Sequence, residues 1–257
     1  MKKSLLTYVV LMLLTASSAM ASHLMGGEVL WECVKTGPNT GRFIFTVKLY
    51  RDCNGIPGPN SVSLTTNAPG WAGGIACPKI SQTDISPTGP GCPTCVAPAG
   101  YLNAVEEFVY RSAPILITGV PPATGWFFYY TDCCRNGGIT NLTNPGSRSF
   151  TLRAIMYPYN ATNTNPCFDS SPQFAERPQL STCTRNQTDY NHNAVDQELD
   201  SLVYDWGVPL DNGWPGTPIP YAAGYSSTSP LPSAFHNPLN VAATLNPQTG
   251  VVSFTSF

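Results

Sequence analysis

Apolar and polar positions alternate with a period of two through much of the chain. Phe43, Phe45, Val47 and Leu49 fall on one face of a segment spanning 42–51, and Arg42, Thr46 and Lys48 fall on the other. This is the pattern of a half-buried strand. The turn-forming run Thr36-Gly37-Pro38-Asn39-Thr40-Gly41 joins it to a second strand over 28–35, which predicts a hairpin. Further strands are predicted at 61–66, 105–111, 115–120, 125–131 and 147–157. Trp126-Phe127-Phe128-Tyr129-Tyr130 has no polar break, as expected of a central strand covered on both faces. Between the third and fourth strands, 67–100 reads as one long loop rich in Gly and Pro. A loop of that length is costly to order inside a compact domain, and local disulfides are the natural remedy. After a polar junction at 160–193, strands are predicted at 201–206, 241–245 and 251–254, with a stretch rich in Pro, Gly and Tyr at 208–240. No segment beyond the first 21 residues carries a sustained helical period.

The expected fold class is therefore all-β. A disulfide-rich β-sandwich domain is assigned to 22–165 and a second, immunoglobulin-like sandwich to 166–257. An immunoglobulin-like sandwich takes about 100 residues and seven strands, so the second unit is expected to be truncated. The sequence then reads as the opening of a longer chain, whose other domains would be its partners.

Residues 1–21 change the picture of the cysteines. Lys2 and Lys3 precede the apolar run Leu5 to Leu14, and Ala19-Met20-Ala21 supplies small residues for cleavage before Ser22. This is the layout of an export signal. The run is too short for a bilayer, which takes about 20 apolar residues, and no later segment reaches that length. All nine cysteines follow it: Cys33, Cys53, Cys77, Cys92, Cys95, Cys133, Cys134, Cys167 and Cys183. In an exported chain they are disulfide candidates, and their odd number leaves at least one without a partner inside the chain. Cys133 and Cys134 are adjacent and point to opposite faces if extended, so two different partners are expected. Composition narrows the function further. With 13 Lys+Arg against 15 Asp+Glu and a net charge of −2, the chain lacks the basic balance that nucleic-acid binding needs.

Candidate chemistry is sparse. Asp196, Glu198 and Asp200 place three carboxylates at every second residue, hard oxygen donors of the kind that Ca²⁺ takes. Ser201 and Gly207 stand where an EF-hand requires Gly and Glu, so the loop is not of that type. No other cofactor is indicated. Cys92-Pro93-Thr94-Cys95 has redox or zinc spacing, but its flanks are hostile to helix and no second such pair exists, so structural disulfides are expected. There is no nucleophile elbow, and Glu106 and Glu107 would face opposite sides of a strand, so no catalytic constellation assembles and an enzyme is not expected. Trp71, Trp214, Tyr221 and Tyr225 lie in turn-rich segments, where they either order the loops or offer stacking faces to sugars. Asn141, Asn160 and Asn186 begin glycosylation sequons and mark surface loops.

Assembled, these residues resemble a known group. Ala21-Ser22-His23-Leu24-Met25-Gly26-Gly27-Glu28 together with Phe45-Thr46-Val47-Lys48-Leu49-Tyr50-Arg51-Asp52-Cys53-Asn54-Gly55 looks like the start of large Bacteroidota surface proteins associated with gliding motility and type IX secretion. Gly125-Trp126, Cys133-Cys134-Arg135-Asn136 and Ser170-Ser171-Pro172-Gln173-Phe174 fit the same pattern. The second half also resembles a cadherin-like domain through Asp200-Ser201-Leu202-Val203-Tyr204 and Asn246-Pro247-Gln248-Thr249-Gly250-Val251-Val252-Ser253-Phe254. It departs at Glu198-Leu199, where Asp-Gly is usual, and at Asn246, where Asp is common. The resemblance implies the N-terminal structural and adhesive region of a secreted or cell-surface protein, partnered by surface glycans or proteins. The competing expectation is a secreted glycan-binding module.

Overall fold

The computed structural model describes residues 24–87, 95, 104–159, 167–178 and 181–257. The export signal and Cys92 lie outside these residues. The described chain is an all-β sandwich. Its main element is a seven-stranded antiparallel sheet built from β1 (Leu24–Cys33), β2 (Phe43–Asp52), β3 (Ser61–Thr66), β4 (Ile75–Asp84), β5 (Val105–Arg111), β6 (Trp126–Cys133) and β7 (Ser149–Met156). The strand order is β1-β2-β5-β4-β3-β6-β7. Small sheets follow: β8 (Gln173–Phe174) with β10 (Ala194–Val195), β11 (Leu210–Asp211) with β12 (Thr217–Pro218), and the trio β13 (Val241–Leu245), β14 (Val252–Thr255) and β9 (Gln187–Tyr190). No α-helix occurs among the described residues, and none of them forms a helix long and apolar enough to cross a membrane.

The predicted alternation shapes the core. Phe43, Phe45, Val47 and Leu49 of β2 are buried, as are Trp31 and Val29 of β1. Across the interior, Phe45 meets Phe128 of β6 at 4.5 Å between ring centroids, and Trp31 meets the same ring at 6.3 Å. These contacts join the two faces of the sandwich, and each fully buried aromatic or aliphatic side chain there contributes about 1.5–3 kcal/mol. The sheet curls until β7 comes up against β1. A side chain at Gly27 would strike the Lys48 carbonyl and the Leu152 methyl, so this close approach requires glycine.

Four expectations need correction. The stretch 67–100 is not one loop, because β4 lies within it. Pro78 hides this strand from a sequence reading, since proline cannot donate to a ladder. The structure accommodates it at a handover: residues 75–78 pair with β3, and residues from Lys79 onward pair with β5. The predicted strand at 115–120 reduces to one bridge between Ile115 and Phe43, and 201–206 joins no ladder. Finally, Cys133 and Cys134 do not seek separate partners. Cys133 ends β6, the peptide to Cys134 is cis, the Cα atoms are 3.0 Å apart, and the two sulfurs bond to each other. Strand alternation no longer applies past the last residue of the strand.

Phe128→Ala is expected to cost about 3–5 kcal/mol, the range for deleting a buried aromatic. Phe127→Ala, on the half-exposed outer face of the same strand, should cost less than half of that. Urea denaturation midpoints of the two variants check the difference.

Candidate functional site at the end of the first sheet

β1 is an edge strand, with one row of backbone groups left over by the sheet. Residues 167–171 run along that row. Ser171 donates its N–H to the Trp31 carbonyl at 2.9 Å, and the Trp31 N–H is accepted by Ser171 Oγ at 2.9 Å. The Cys33 N–H is accepted by Ser170 Oγ at 3.2 Å, and the Trp31 indole donates to the Asp169 carbonyl at 3.3 Å. A Cys33–Cys167 disulfide with Cα atoms 5.1 Å apart closes the end. The segment is fixed by sheet-like pairing that no local sequence pattern announces.

This fixing places Asp169 beside the acidic loop. Asp169, Asp196 and Glu198 each bring a carboxylate oxygen within 4.8 Å of the others. Asp196 Oδ1 accepts the N–H groups of Glu198 and Asp200, both at 3.0 Å, which folds the loop around it. Glu198 accepts from the Ser170 N–H and hydroxyl, both at 3.1 Å, and from the Lys35 ammonium at 2.6 Å. Lys35 also donates to the Phe168 carbonyl. Of the three residues expected from spacing, two therefore converge, and Asp200 contributes its N–H and its charge. Asp169 and Lys35, which complete the arrangement, were not legible, because they stand far away in the chain and meet the loop only through the pairing along β1.

The electrostatics follow from this geometry. Burial and then the negative charges of Glu198, Asp196 and Asp200 push the Asp169 carboxyl from its ordinary 3.8 up to about 6, with Lys35 opposing. Burial also acts to raise Glu198, but the Lys35 contact and the Ser170 hydrogen bonds outweigh it and hold Glu198 below its usual range. One ammonium thus faces a group of carboxylates. An all-oxygen donor set of this kind suits a hard cation such as Ca²⁺, which takes 6–8 oxygens. Asp169, Asp196 and Glu198 would hold it in exchange for Lys35.

The remaining candidates are engaged elsewhere. Cys95 is bridged to Cys53, with Cα atoms 5.2 Å apart, and among the described residues Cys77 and Cys183 carry no bridge. Burial pushes the Cys77 thiol up to about 12, which makes it inert as a nucleophile. Glu106 and Glu107 face opposite sides of β5, as alternation predicts, with Glu106 paired to Arg51 and Glu107 to Arg177 at 3.1 Å. The Trp71 indole donates to the Leu116 carbonyl at 3.0 Å, Trp214 lies under the Arg153 guanidinium at 4.1 Å, Tyr221 forms a bridge with Leu142, and Tyr225 stacks on His236 at 4.1 Å. Each of these contacts ties the aromatic to another part of the chain. Compared with family models, curated proteins and solved structures, the chain matches none.

The raised Asp169 carboxyl has a definite consequence for stability. The folded chain holds this proton more tightly than the unfolded chain, so its favourable contribution is complete below about pH 4 and is lost as pH rises through about 6. Asp169→Asn should accordingly stabilise the protein by about 1–2 kcal/mol near neutral pH without divalent cations, allowing for partial solvent screening, and by almost nothing below about pH 4. Parallel denaturant titrations of wild type and variant at the two pH values measure this.

Proposed function

We propose that the chain is the structural and adhesive N-terminal region of an exported cell-surface protein, of the gliding-associated kind that its sequence resembles. The observation that carries this reading is the fastening at the edge of β1. There the Cys33–Cys167 bridge, the paired segment 167–171 and the carboxylates of Asp169, Asp196 and Glu198 tie the later part of the chain to the first sheet. A module that transmits pulling forces or displays loops needs such a fixed attachment, and nothing in its chemistry calls for a catalytic centre. The bridge encloses a separation of 134 residues, and closing so long a loop stabilises a fold by about 4–5 kcal/mol in the chain-entropy account. Three disulfides also fit an oxidising compartment outside the cytoplasm.

Calcium is the proposed reinforcement of this attachment. It would supply positive charge at the carboxylate cluster, where the only ammonium contact among the described residues comes from Lys35.

Two measurements test the proposal. In a producing cell, the protein should be recovered outside the inner membrane with Ser22 as its first residue, and should be cleaved by protease added to intact cells. Unprocessed protein retained in the cytoplasm would overturn the reading. In purified protein, Ca²⁺ at about 100 times its dissociation constant should stabilise the fold by about 2.7 kcal/mol relative to EDTA. Asp196→Asn combined with Glu198→Gln should abolish that difference, and a wild-type melting temperature indifferent to Ca²⁺ would remove the cation from the proposal.

A further inference from the structure

The run 201–206 joins no ladder, yet its exposure alternates. Leu202, Tyr204 and Trp206 are half-buried, whereas Ser201, Val203 and Asp205 are exposed. The two-residue period of a strand therefore survives without a neighbouring strand. Local contacts hold the run in place. The Tyr204 N–H donates to the Pro247 carbonyl at 2.9 Å, and the Tyr204 ring lies over Gly250, where a Cβ would come within 2.5 Å of it. The Trp206 N–H donates to Asp205 Oδ1 at 2.7 Å.

Between this run and Phe174, His192, Ala194 and Val252 lies a cavity of about 370 Å³. That size falls within the range of about 300–1,000 Å³ usual for small-ligand sites. Four of the residues lining it are aromatic: Phe174, His192, Tyr204 and Trp206. The Phe174 and His192 rings stack at 4.6 Å between centroids, and a hydrogen bond of 2.9 Å joins the Tyr190 hydroxyl to His192 Nδ1. Burial holds the His192 imidazole below its ordinary 6.5, against the opposing influence of Glu28, so near neutral pH it is an uncharged ring. Asp205 is the one charged residue in the lining, and no Lys or Arg stands there among the described residues. Arg153 and Arg177, on other segments, are taken up by the Trp214 ring at 4.1 Å and by Glu107 at 3.1 Å.

We propose that this cavity binds a small molecule bearing a quaternary ammonium group, with its methyl groups against the aromatic lining and its charge toward Asp205. Aromatic faces attract a cation through their quadrupoles, and a carboxylate at the same wall adds to that attraction. An anion would meet Asp205 with no cation in the lining to offset it. A primary ammonium would give up strong hydration on entering a mostly apolar cavity. A methylated ammonium is weakly hydrated and presents apolar surface, so it loses least.

The test uses the oxidised full chain and three probes. These are choline, its neutral isostere in which tert-butyl replaces trimethylammonium, and ethanolamine, which keeps the charge without the methyl groups. Ligand-observed NMR should show saturable choline binding with a dissociation constant at or below about 1 mM, and each of the other probes about fivefold weaker or more. Asp205→Asn, whose amide oxygen can still accept the Trp206 N–H, should weaken choline about fivefold and leave the neutral isostere unchanged. Trp206→Ala should abolish choline binding. Where that variant does not fold, shifts of the Trp206 and His192 ring resonances in the wild-type protein locate the probe. Phosphatidylcholine vesicles present the same group on a surface: pelleting that choline reverses assigns its source to a lipid headgroup, and no pelleting assigns it to a free molecule. The proposal fails if choline does not saturate below about 5 mM, if the isostere or ethanolamine binds as well, if a folded Asp205→Asn or Trp206→Ala protein binds undiminished, or if the shifts map outside the cavity.

Discussion

The unsatisfied edge of β1 is the constraint on which the rest of the structure turns. A seven-stranded sheet that stops just short of closure leaves two edges, and exposed strand edges are templates for unwanted pairing. At one end the problem is reduced by curling, which Gly27 permits by letting Leu152 of β7 approach closely. At the other, the chain returns after β7 and lays 167–171 against Trp31 and Cys33. Once this segment is fixed, Asp169 has no freedom to move away from the loop at 196–200. The carboxylate cluster follows from covering an edge, and its charge is tolerated because Lys35, at the end of the same β1 region, reaches Glu198.

β5 shows how one local rule serves two places at once. Successive residues of a strand face opposite sides, so Glu106 points into the sandwich and Glu107 points out. Inside, Glu106 neutralises Arg51 at the end of the aromatic core. Outside, Glu107 meets Arg177, two residues after the Ala175 N–H that binds the Asn193 carbonyl. The outer pair thus helps hold the later segment against the sheet, next to Tyr50, whose hydroxyl burial and the neighbouring Glu28 and Glu107 charges keep protonated well above its ordinary range. The interior charge and the docking charge are neighbours in sequence because the strand separates them in space.

Period-two patterning made most of the first sheet legible: β3 and β5 match their expected bounds, and β1, β2, β6 and β7 shift by a few residues at their ends. What was not legible depends on pairing partners. β4 was masked by Pro78, which is harmless only because the strand changes neighbours at that residue. The 201–206 run has the apolar content of a strand, but among the described residues its one backbone–backbone hydrogen bond is from the Tyr204 N–H to the Pro247 carbonyl. For the site, spacing alone identified Asp196 and Glu198, since residues two apart in a tight loop share a neighbourhood. Asp169 and Lys35 carried no such mark. Their roles come from tertiary pairing, and a residue's own neighbours in the chain hold no record of it.

The two charged places in the fold also differ in a way that bears on what each can accept. At the edge of β1, carboxylates outnumber the ammonium that faces them, so added positive charge is favourable there. At the end of the sandwich interior, the opposite charges of Arg51 and Glu106 meet directly, and no net charge is left over. In a low-dielectric interior an uncompensated ion is excluded far more strongly than a dipole. The same residue types therefore leave opposite balances: a surplus of negative charge at the edge of β1, and a closed, paired arrangement of Arg51 and Glu106 at the aromatic end of the core.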